Sequence, residues 1–410
     1  MTTDPNLADA HDAHDAHDAH DADAHDADAH DAAAADVPDL RVELEAQRAK
    51  CPVAHDGEVW TLLGHREVVA AATDPERFSS AVSRHRAIPN SLDGEEHAAY
   101  REIVERYMTP EEVAKQEDQC RGHAEEIVAG LVRGEMVKTL THFAVPFAVR
   151  TQIEWLGWGR DLEDELVAYM YANHEATRSG EYSRTAAVAA QFDAIIERLV
   201  DARDGTADDV TSRLMRETVT LPDSGVERPL TRAEIVSILR NWTAGDLGSL
   251  AASLGVLVHY LAAHPEVQRY VRALVAAGDV DGVEAAVEEI LRIDDPFVAN
   301  RREATADVEL AGVSIPARGR VVLNWTAANR DPEVFGDPDR FEPEGNAEDN
   351  LVFGIGPHVC PGRDLSLMEL RVAITALLEA TTSITEFAGR RPVRIEAPGS
   401  GWAQVPVVLE

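Results

Sequence analysis

One short segment limits the fold and chemistry of this chain more than any other. Residues 353–362 are Phe-Gly-Ile-Gly-Pro-His-Val-Cys-Pro-Gly, so three glycines surround Cys360 just before a predicted helix. Glycines allow positive φ and let a backbone approach a flat ligand closely. A cysteine at a helix N-terminus lies at the positive end of the helix dipole, which favours the thiolate. The segment therefore predicts either a thiolate metal ligand or a buried structural cysteine in a glycine turn.

The cysteine content narrows the kind of metal site. The chain has three cysteines, Cys51, Cys120 and Cys360, and this odd, sparse set predicts no disulfide framework. Cys360 has no second cysteine or histidine at zinc-site spacing, so a haem axial ligand suits it better than zinc. We expect Cys51 and Cys120 to be ordinary structural residues in a reducing compartment.

Charge excludes some classes of partner. The 410 residues carry a formal net charge of −36, and 45% of them are hydrophobic, which is enough for a substantial core. Nucleic acids and anionic membranes are polyanions, so the charge argues against both as partners. Residues 1–36 hold 11 Asp and no Lys or Arg, which leaves −25 for the rest of the chain. Even that remainder excludes nucleic acid.

The N-terminal segment 1–36 has a composition unlike the rest. It repeats His-Asp-Ala, with histidines every three residues at His11, His14, His17 and His20. Imidazole and carboxylate groups bind metals, so a weak metal-binding tail is one interpretation. A disordered, solvated tail is the favoured one, because alternating Ala and Asp bury no core. We expect one folded domain over residues 37–410.

The sequence predicts a soluble, cytoplasmic protein. The N-terminus lacks a basic region followed by an apolar one, so no signal peptide is visible. The longest uncharged stretch, residues 247–263, is shorter than the roughly 20 residues a membrane span needs.

Hydrophobic periodicity predicts a mainly α protein with a small β region. Thr231 and Glu234 form a capping-box pattern that opens a long helix ending before Pro265. Helices are also predicted over 65–72, 95–107, 283–292 and 363–380, and strands over 60–63, 308–315 and 320–324. Residues 329–362 predict a long irregular loop, and loops of that length are usually functional.

Four motifs in order resemble the cytochrome P-450 family, over about residues 40–410. The segment around Cys360 is similar to the family's haem-binding signature, with Phe, Gly, Gly, His, Cys and Gly at matching spacing. Glu289-Ile290-Leu291-Arg292 resembles the Glu-x-x-Arg pair, and Pro338-Asp339-Arg340-Phe341 resembles the loop that supplies a second arginine. His97-Ala98-Ala99-Tyr100-Arg101 resembles the His-x-x-x-Arg of the helix over the haem propionates.

The resemblance implies a cytochrome P-450 fold, haem b and a set of cofactor contacts. Cys360 would bind the iron as thiolate and push electron density toward O–O cleavage. Glu289, Arg292 and Arg340 would form a buried ion triad that fixes the loop leading to Cys360. The remaining haem contacts implied are the propionate donors His97, Arg101, Arg302 and His358, with Phe353 covering the sulfur, Gly362 in the loop and Ala244 on the long helix.

The long helix departs from the family pattern Ala-Gly-x-Asp/Glu-Thr, in which an acid and an alcohol guide protons to dioxygen. Leu247 stands in place of the acid and Gly248 in place of the alcohol. The catalytic candidates of this region are Asn241, Asp246, Gly248 and Ser249. A straight helix would put a small-residue stripe, Asn241, Ala244, Gly248, Ala252 and Gly255, toward the haem. Asp246 would then lie on the opposite stripe with Ile235, Leu239, Trp242, Leu250 and Leu257, and Ser249 would be intermediate.

This departure leaves two interpretations of Asp246. It is either a structural carboxylate or a catalytic group that a local helix bulge turns toward the haem. Proton delivery would come from water, Ser249, Asn241 or the substrate. Loss of a positioned acid or base typically slows proton transfer by roughly 10²–10⁴-fold.

The predicted function is a haem-thiolate monooxygenase that acts on a small organic substrate. A peroxide-driven peroxygenase on the same scaffold is the alternative, and a non-catalytic haem protein that senses or carries a ligand is another. The chain ends soon after the family domain, so electrons would come from a separate ferredoxin and ferredoxin reductase, with Arg106 and Arg363 as candidate contacts. We expect a monomer. The cluster Arg84, His85 and Arg86 either favours an acidic substrate or is a solvated loop.

Overall fold

The computed structural model describes residues 39–82, 86–179, 181–397 and 399–410. Within its helices, the side chains of residues 174, 177–179, 182, 244 and 246 are not described. The predicted tail over 1–36 therefore lies outside the described residues, as do Arg84 and His85 and the side chains of Ala244 and Asp246.

Helices make up most of the described chain. The α-helices are α1 Leu40–Arg48, α2 His65–Ala72, α3 Gly94–Glu105, α4 Pro110–Ala114, α5 Glu117–Gly130, α6 Val145–Leu156, α7 Glu163–Ser179, α8 Tyr182–Asp201, α9 Val210–Leu214, α10 Arg232–Ala263, α11 Pro265–Ala277, α12 Val280–Ile293, α13 Trp325–Ala328, α14 Pro332–Phe335, α15 Pro343–Asn346 and α16 Arg363–Glu379. A π-helical turn, Leu140–Ala144, leads directly into α6, and 3-10 turns occupy Arg160–Leu162 and Gly356–His358.

The strands are short. They are β1 Val53–His55, β2 Val59–Leu62, β3 Phe78–Ser79, β4 Met136–Lys138, β5 Thr218–Thr220, β6 Glu227–Pro229, β7 Ala299–Ala304, β8 Val308–Leu310, β9 Val313–Ile315, β10 Arg320–Asn324, β11 Ile384–Glu386, β12 Val393–Arg394, β13 Trp402–Gln404 and β14 Pro406–Leu409. The largest sheet has the order β1-β2-β10-β7-β3, in which only the β2–β10 pair is parallel. A second sheet has the order β11-β14-β4, and the remaining strands form the hairpins β5–β6, β8–β9 and β12–β13.

The long helix α10 begins where the sequence predicts. The Thr231 side chain accepts a hydrogen bond from the backbone N–H of Glu234, and the Glu234 carboxylate accepts from the backbone N–H of Thr231. These two bonds satisfy orphan donors of the first turn. Among the described helices, α10 is long and apolar enough to cross a membrane, but 71% of its most apolar stretch is buried inside the protein, as in a core helix.

Local signals were sufficient for several other elements. The helix predicted over 65–72 has exactly those bounds, and the last helix ends one residue before its predicted end. The predicted strands at 60–63 and 320–324 pair with each other in the largest sheet. The predicted strand region 308–315 is the β8–β9 hairpin.

A buried ion pair connects α12 to the segment before Cys360. The Arg292 and Glu289 side chains are 0% and 1% exposed, and their N–O distances are 2.7 and 2.9 Å. The same Glu289 carboxylate accepts from the Asn346 side chain at 2.7 Å and from the Glu342 backbone at 2.9 Å. The pair therefore holds the chain around α15 in place.

The predicted third member of this cluster is wrong. The Arg340 side chain is 69% exposed and pairs with Glu342, not with Glu289. What reaches the pair is the Arg340 backbone carbonyl, which accepts from Arg292 at 3.3 Å. A solvated guanidinium avoids the desolvation penalty that a third buried charge would carry.

Candidate functional site

The Cys360 loop depends on glycine at two positions. Gly354 and Gly356 have φ of 71° and 79°, in the left-handed region that glycine tolerates best. A Cβ on Gly356 would lie 2.6 Å from the carbonyl oxygen of Ala72, so the close approach of the loop to α2 also excludes a side chain. The Cys360 N–H donates to the Phe353 carbonyl at 2.8 Å, which closes the loop into a tight turn.

Cys360 lies just before the N-terminus of α16, which begins at Arg363. The Arg363 guanidinium lies 5.8 Å from the centre of the Phe353 ring. A Cβ added at Gly362 would lie 4.0 Å from the Cys360 sulfur and 4.0 Å from the Met108 sulfur, so both side chains pack around Gly362. The positive end of the helix dipole favours a thiolate at this position.

A cavity of about 300 Å³ opens beside Cys360. The segment from α12 to β7, the long helix α10 and the cysteine loop form its walls. Its lining includes Asn90, Arg101, Gly245, Ser249, Leu250, Ser253, Leu291, Asp295, Pro296, Phe297, Asn300, Arg302, Trp325, Val352, Phe353, Gly354, His358, Cys360, Pro361, Ser366 and Leu370.

Two histidines from distant parts of the chain meet near this cavity. The His97 and His358 rings are 4.2 Å apart between centroids. His358 Nε2 lies 3.0 Å from Ser80 Oγ and 3.5 Å from Asp93 Oδ1. Asp93 also accepts from Ser79 Oγ and the Ser80 N–H, so it orients His358 from behind.

The environment sets the charges of this cluster. Burial lowers the pKa of His97 to about 4, and the positive charges of His358 and Arg101 act in the same direction. Burial opposes ionisation of Asp93, but hydrogen bonds from His358 and Ser79 bring its pKa down to about 2. His97 is therefore a neutral ring and Asp93 a carboxylate near neutral pH.

Arg302 and Arg101 bring two guanidinium groups to the cavity wall. Arg302 is 7% exposed, and burial lowers its pKa. It donates to the Arg301 carbonyl at 2.8 Å, and none of the described carboxylates lies within ion-pair distance of it. Arg101 pairs with Glu105 at 2.7 Å along α3.

These donors provide a test of whether the site fits a haem. His97 Nε2 is buried and has no hydrogen-bond partner among the described residues, and Arg302 is a buried cation without a carboxylate partner there. Buried polar groups of native proteins are normally paired. A planar ligand with carboxylates at one edge, placed between these donors and Cys360, would satisfy both groups, so the residues fit haem and its propionates.

The cavity-facing side of α10 carries glycines and small polar groups. Gly245 and Ser249 line the cavity, and Ser249 Oγ donates to the Gly245 carbonyl at 2.6 Å. Gly248 is exposed, with no heavy atom within 4 Å of an added Cβ. The Asn241 side chain donates to the Ile88 carbonyl at 2.7 Å, which ties α10 to the segment before α3.

The predicted orientation of α10 needs a correction. Leu250, assigned to the stripe facing away, lines the cavity. Gly255, assigned to the cavity side, instead packs against Leu140, whose Cδ2 would lie 2.7 Å from an added Cβ. Of the predicted small-residue stripe, none of the members with a described side chain lines the cavity, whose α10 residues are Gly245, Ser249, Leu250 and Ser253.

Sequence reasoning missed several cavity residues, namely Ser253, Asp295 and Asn300. Burial raises the pKa of Asp295 to about 8, although Phe297 N–H and the Asn329 side chain donate to its carboxyl group. The neighbouring Asp294 instead pairs with Arg394 at 2.9 Å. In the sequence, the adjacent acids Asp294 and Asp295 before Pro296 could have indicated a functional site. The sequence does not show which of the two carboxylates pairs with an arginine.

Comparisons with known proteins agree with this geometry. A family model described as Cytochrome P450 matches residues 179–386, a range that includes α10, the Glu289–Arg292 pair and Cys360. A nocardicin C N-oxygenase of Nocardia uniformis subsp. tsuyamanensis is 31% identical over 380 residues, covering 86% of this chain and 87% of that protein. The chain belongs to the cytochrome P450 family.

Other cytochrome P450 proteins also match this chain over most of its length. The monooxygenase PikC of Streptomyces venezuelae is 28% identical, covering 83% of this chain and 82% of that protein. A solved structure of a mutant of P450 EryK with erythromycin B has a TM-score of 0.79 at 27% identity, covering 90% of this chain and 96% of that one. The predicted mainly α P450 fold and monooxygenase class are confirmed, and the family implies a haem-iron cofactor.

Proposed function

We propose that this cytochrome P450 binds haem b with Cys360 as the axial iron ligand and oxidises a small organic substrate in the cavity beside it. The observation that carries the proposal is the position of Cys360 in the wall of a cavity that is also lined by the buried donor Arg302 and by His358, against which His97 packs. When bound, the haem would supply dioxygen activation and transfer of one oxygen atom, with the thiolate favouring O–O cleavage.

His97, Arg101, Arg302 and His358 would hold the propionate edge. His97 would donate from the Nε2 atom that lacks a partner among the described residues, and Arg302 would contribute a charge-assisted hydrogen bond. Asp93, which contacts His358 Nε2 at 3.5 Å, would keep that imidazole oriented. Phe353 lines the cavity next to Cys360 and would exclude water from the sulfur.

Proton delivery would differ from the usual pattern of the family. Leu247 is 1% exposed and apolar, and Gly248 offers no hydroxyl. Ser249 Oγ lines the cavity with its proton directed at the Gly245 carbonyl, so we propose that Ser249 and water replace the acid–alcohol pair. This substitution would cost rate in dioxygen turnover, since a positioned acid typically contributes roughly 10²–10⁴-fold.

The presence of Leu247 and Gly248 in place of the acid and the alcohol also favours a second candidate, a peroxide-driven peroxygenase. Hydrogen peroxide brings its own protons and both electrons, so the missing acid and alcohol at residues 247 and 248 would matter less. The structure does not describe the Asp246 side chain, which stays a candidate in either reaction.

The relatives suggest the kind of substrate. One is named a nocardicin C N-oxygenase and another a 20-oxo-5-O-mycaminosyltylactone 23-monooxygenase, from Streptomyces fradiae. We propose a natural product of similar chemical complexity, held by hydrogen bonds from Asn90, Asn300 and Ser253 and by the apolar surface of Phe297.

We also propose a cytoplasmic monomer that receives electrons from a separate ferredoxin and its reductase on the Cys360 side. Arg363 follows the Cys360 loop directly, at the start of α16. Each of the two candidates is already paired, Arg106 with Glu102 and Glu217 and Arg363 with Glu288. Their contribution to docking would require these ion pairs to rearrange.

Three assays on the haem-loaded protein would test the reaction type. A substrate found by spectral shift of the ferric protein would be incubated with NADH, ferredoxin and reductase, and separately with hydrogen peroxide. Product in the first assay supports the monooxygenase, whereas product only with peroxide supports the peroxygenase. A protein that binds ligands but yields product in neither assay would contradict both.

A further inference from the structure

Three aromatic side chains form a chain through the core. The rings of Trp155 and Trp242 are 5.2 Å apart between centroids, and those of Trp242 and Tyr107 are 5.3 Å apart. All three residues are buried, with Tyr107 1% exposed. Ring separations of this size are contact distances for aromatic pairs, so the three π-systems form a continuous path.

The middle ring of this path belongs to the helix that forms one wall of the cavity. Trp242 is on α10, one turn before Gly245, which lines the cavity. Met108 follows Tyr107 in the chain, and its sulfur would lie 4.0 Å from a Cβ added at Gly362 of the Cys360 loop. The path therefore approaches the cavity from α10 and the Cys360 loop from the end of α3.

Tyr107, at one end of the path, has a proton acceptor. The Tyr107 hydroxyl donates to Glu217 Oε1 at 3.1 Å, and Glu217 is 19% exposed and also paired with Arg106. Burial raises the pKa of Tyr107, and the Glu217 charge adds to this, so the phenol stays protonated at rest. Trp242 Nε1, in contrast, is buried without a hydrogen-bond partner among the described residues.

This difference fixes where an oxidising equivalent would stop. An oxidised Trp242 has no described acceptor for its N–H proton, so it would keep a positive charge in the core, which is costly. The Arg213 guanidinium lies 5.0 Å from the Tyr107 ring centre and disfavours a cation there too. Tyr107 avoids the charge because its proton can move to Glu217 as the electron leaves.

We propose that Trp242 and Tyr107 form a one-electron relay that carries an oxidising equivalent out of the cavity to a neutral Tyr107 radical. Trp242 gives one electron to the haem site, Tyr107 gives one electron to Trp242, and the phenolic proton passes to Glu217. A small thiol reductant in solution then returns one electron to Tyr107, and Glu217 returns the proton. The relay acts when a turnover oxidises no substrate, and it rests on the proposed haem chemistry for its oxidant.

The test uses the haem-loaded full chain mixed with hydrogen peroxide in the absence of substrate and frozen within milliseconds. Electron paramagnetic resonance should detect a tyrosyl radical. Tyr107→Phe should lose this signal, and Trp242→Phe should reduce it or replace it with a signal elsewhere. Tyr169→Phe is the matched control, because Tyr169 is also buried but stacks on Phe192, outside the path, and its loss should leave the signal unchanged.

Two results would overturn the relay: a tyrosyl signal of unchanged size in Tyr107→Phe, or its loss in Tyr169→Phe. Peptide mapping of oxidised residues after peroxide gives an independent measurement, with Tyr107 and Trp242 expected among the modified sites of the wild-type protein. The red-shifted carbonyl spectrum of the reduced protein is recorded first. Its absence would refute the proposed thiolate ligation, whereas a normal spectrum without a radical on Tyr107 refutes the relay alone.

Discussion

Replacing Glu289 by alanine should destabilise the protein strongly, because it leaves a buried cation without its counter-ion. The Arg292 side chain is 0% exposed and donates two hydrogen bonds to the Glu289 carboxylate. The same carboxylate also accepts hydrogen bonds from Asn346 and Glu342. Breaking one side of a buried ion pair typically costs about 3–5 kcal/mol. Arg292 keeps its carbonyl acceptors on Asn329 and in the 338–340 segment, which favours the lower half of that range.

Arg340→Ala is the matched control, since the motif in the sequence assigns Arg340 to the same cluster. Its side chain is 69% exposed and its carbonyl, which alanine retains, makes the contact with Arg292. Surface substitutions of this kind usually stay within about 0.5 kcal/mol. Urea unfolding of both haem-loaded variants, followed by circular dichroism, measures the two free energies of unfolding. Equal losses in the two variants, or a loss below about 1 kcal/mol in Glu289→Ala, would refute the assignment.

Three further outcomes are expected. Hydrogen bonds from Arg228 and Tyr100 overcome burial and lower the pKa of Glu234 to about 2. The ionised carboxylate therefore stabilises the fold fully above its ordinary pKa of 4.5, and this stabilisation is lost as the pH falls toward 2. The free energy of unfolding in urea should differ between Glu234→Gln and wild type at pH 6 and become equal in acid. Burial raises the pKa of Asp295 to about 8, so the folded protein keeps a proton that the unfolded chain releases. The free energy of unfolding should therefore fall as the pH rises from 3.8 to about 8, by at most about 1.4 kcal/mol per pH unit. Thermal unfolding of Asp295→Asn should lack this pH dependence, and an unchanged dependence would contradict the prediction. Gly248→Thr has room for its side chain and should raise the rate of product formation with NADH and ferredoxin by up to about 10²-fold, while the rate with peroxide stays unchanged. Equal effects on both rates would contradict the proposed proton deficit.

Elements with local signals were predictable from the sequence. The reciprocal hydrogen bonds of Thr231 and Glu234 join residues three apart, so a short window contains all the information for the start of α10. The α16 helix and the glycine turn before it were predictable for the same reason. Family resemblance located Cys360, His97 and Arg302, but only the structure shows the Nε2 atom of His97 buried without a described partner.

Long-range contacts were not predictable. Asp93 and His358 are far apart in sequence, and no local sequence pattern indicates that the Asp93 carboxylate contacts the His358 imidazole. The exposed side chain of Arg340 shows that a motif locates a residue without fixing which of its atoms makes the contact. The helical stripe on α10 was misassigned because a single periodicity cannot tell which of two neighbours, the cavity or Leu140, each glycine faces.

Ligation of haem by the Cys360 thiolate is the central claim, and the carbonyl complex of the reduced protein measures it directly. The wild-type protein should show the red-shifted Soret band of a thiolate-ligated haem, and Cys360→His should lose that band while retaining haem. Cys120→Ser is the control, because Cys120 is 3% exposed on α5 and lies outside the cavity lining. A wild-type spectrum without the red shift, or a red-shifted band that survives in Cys360→His, would contradict the account.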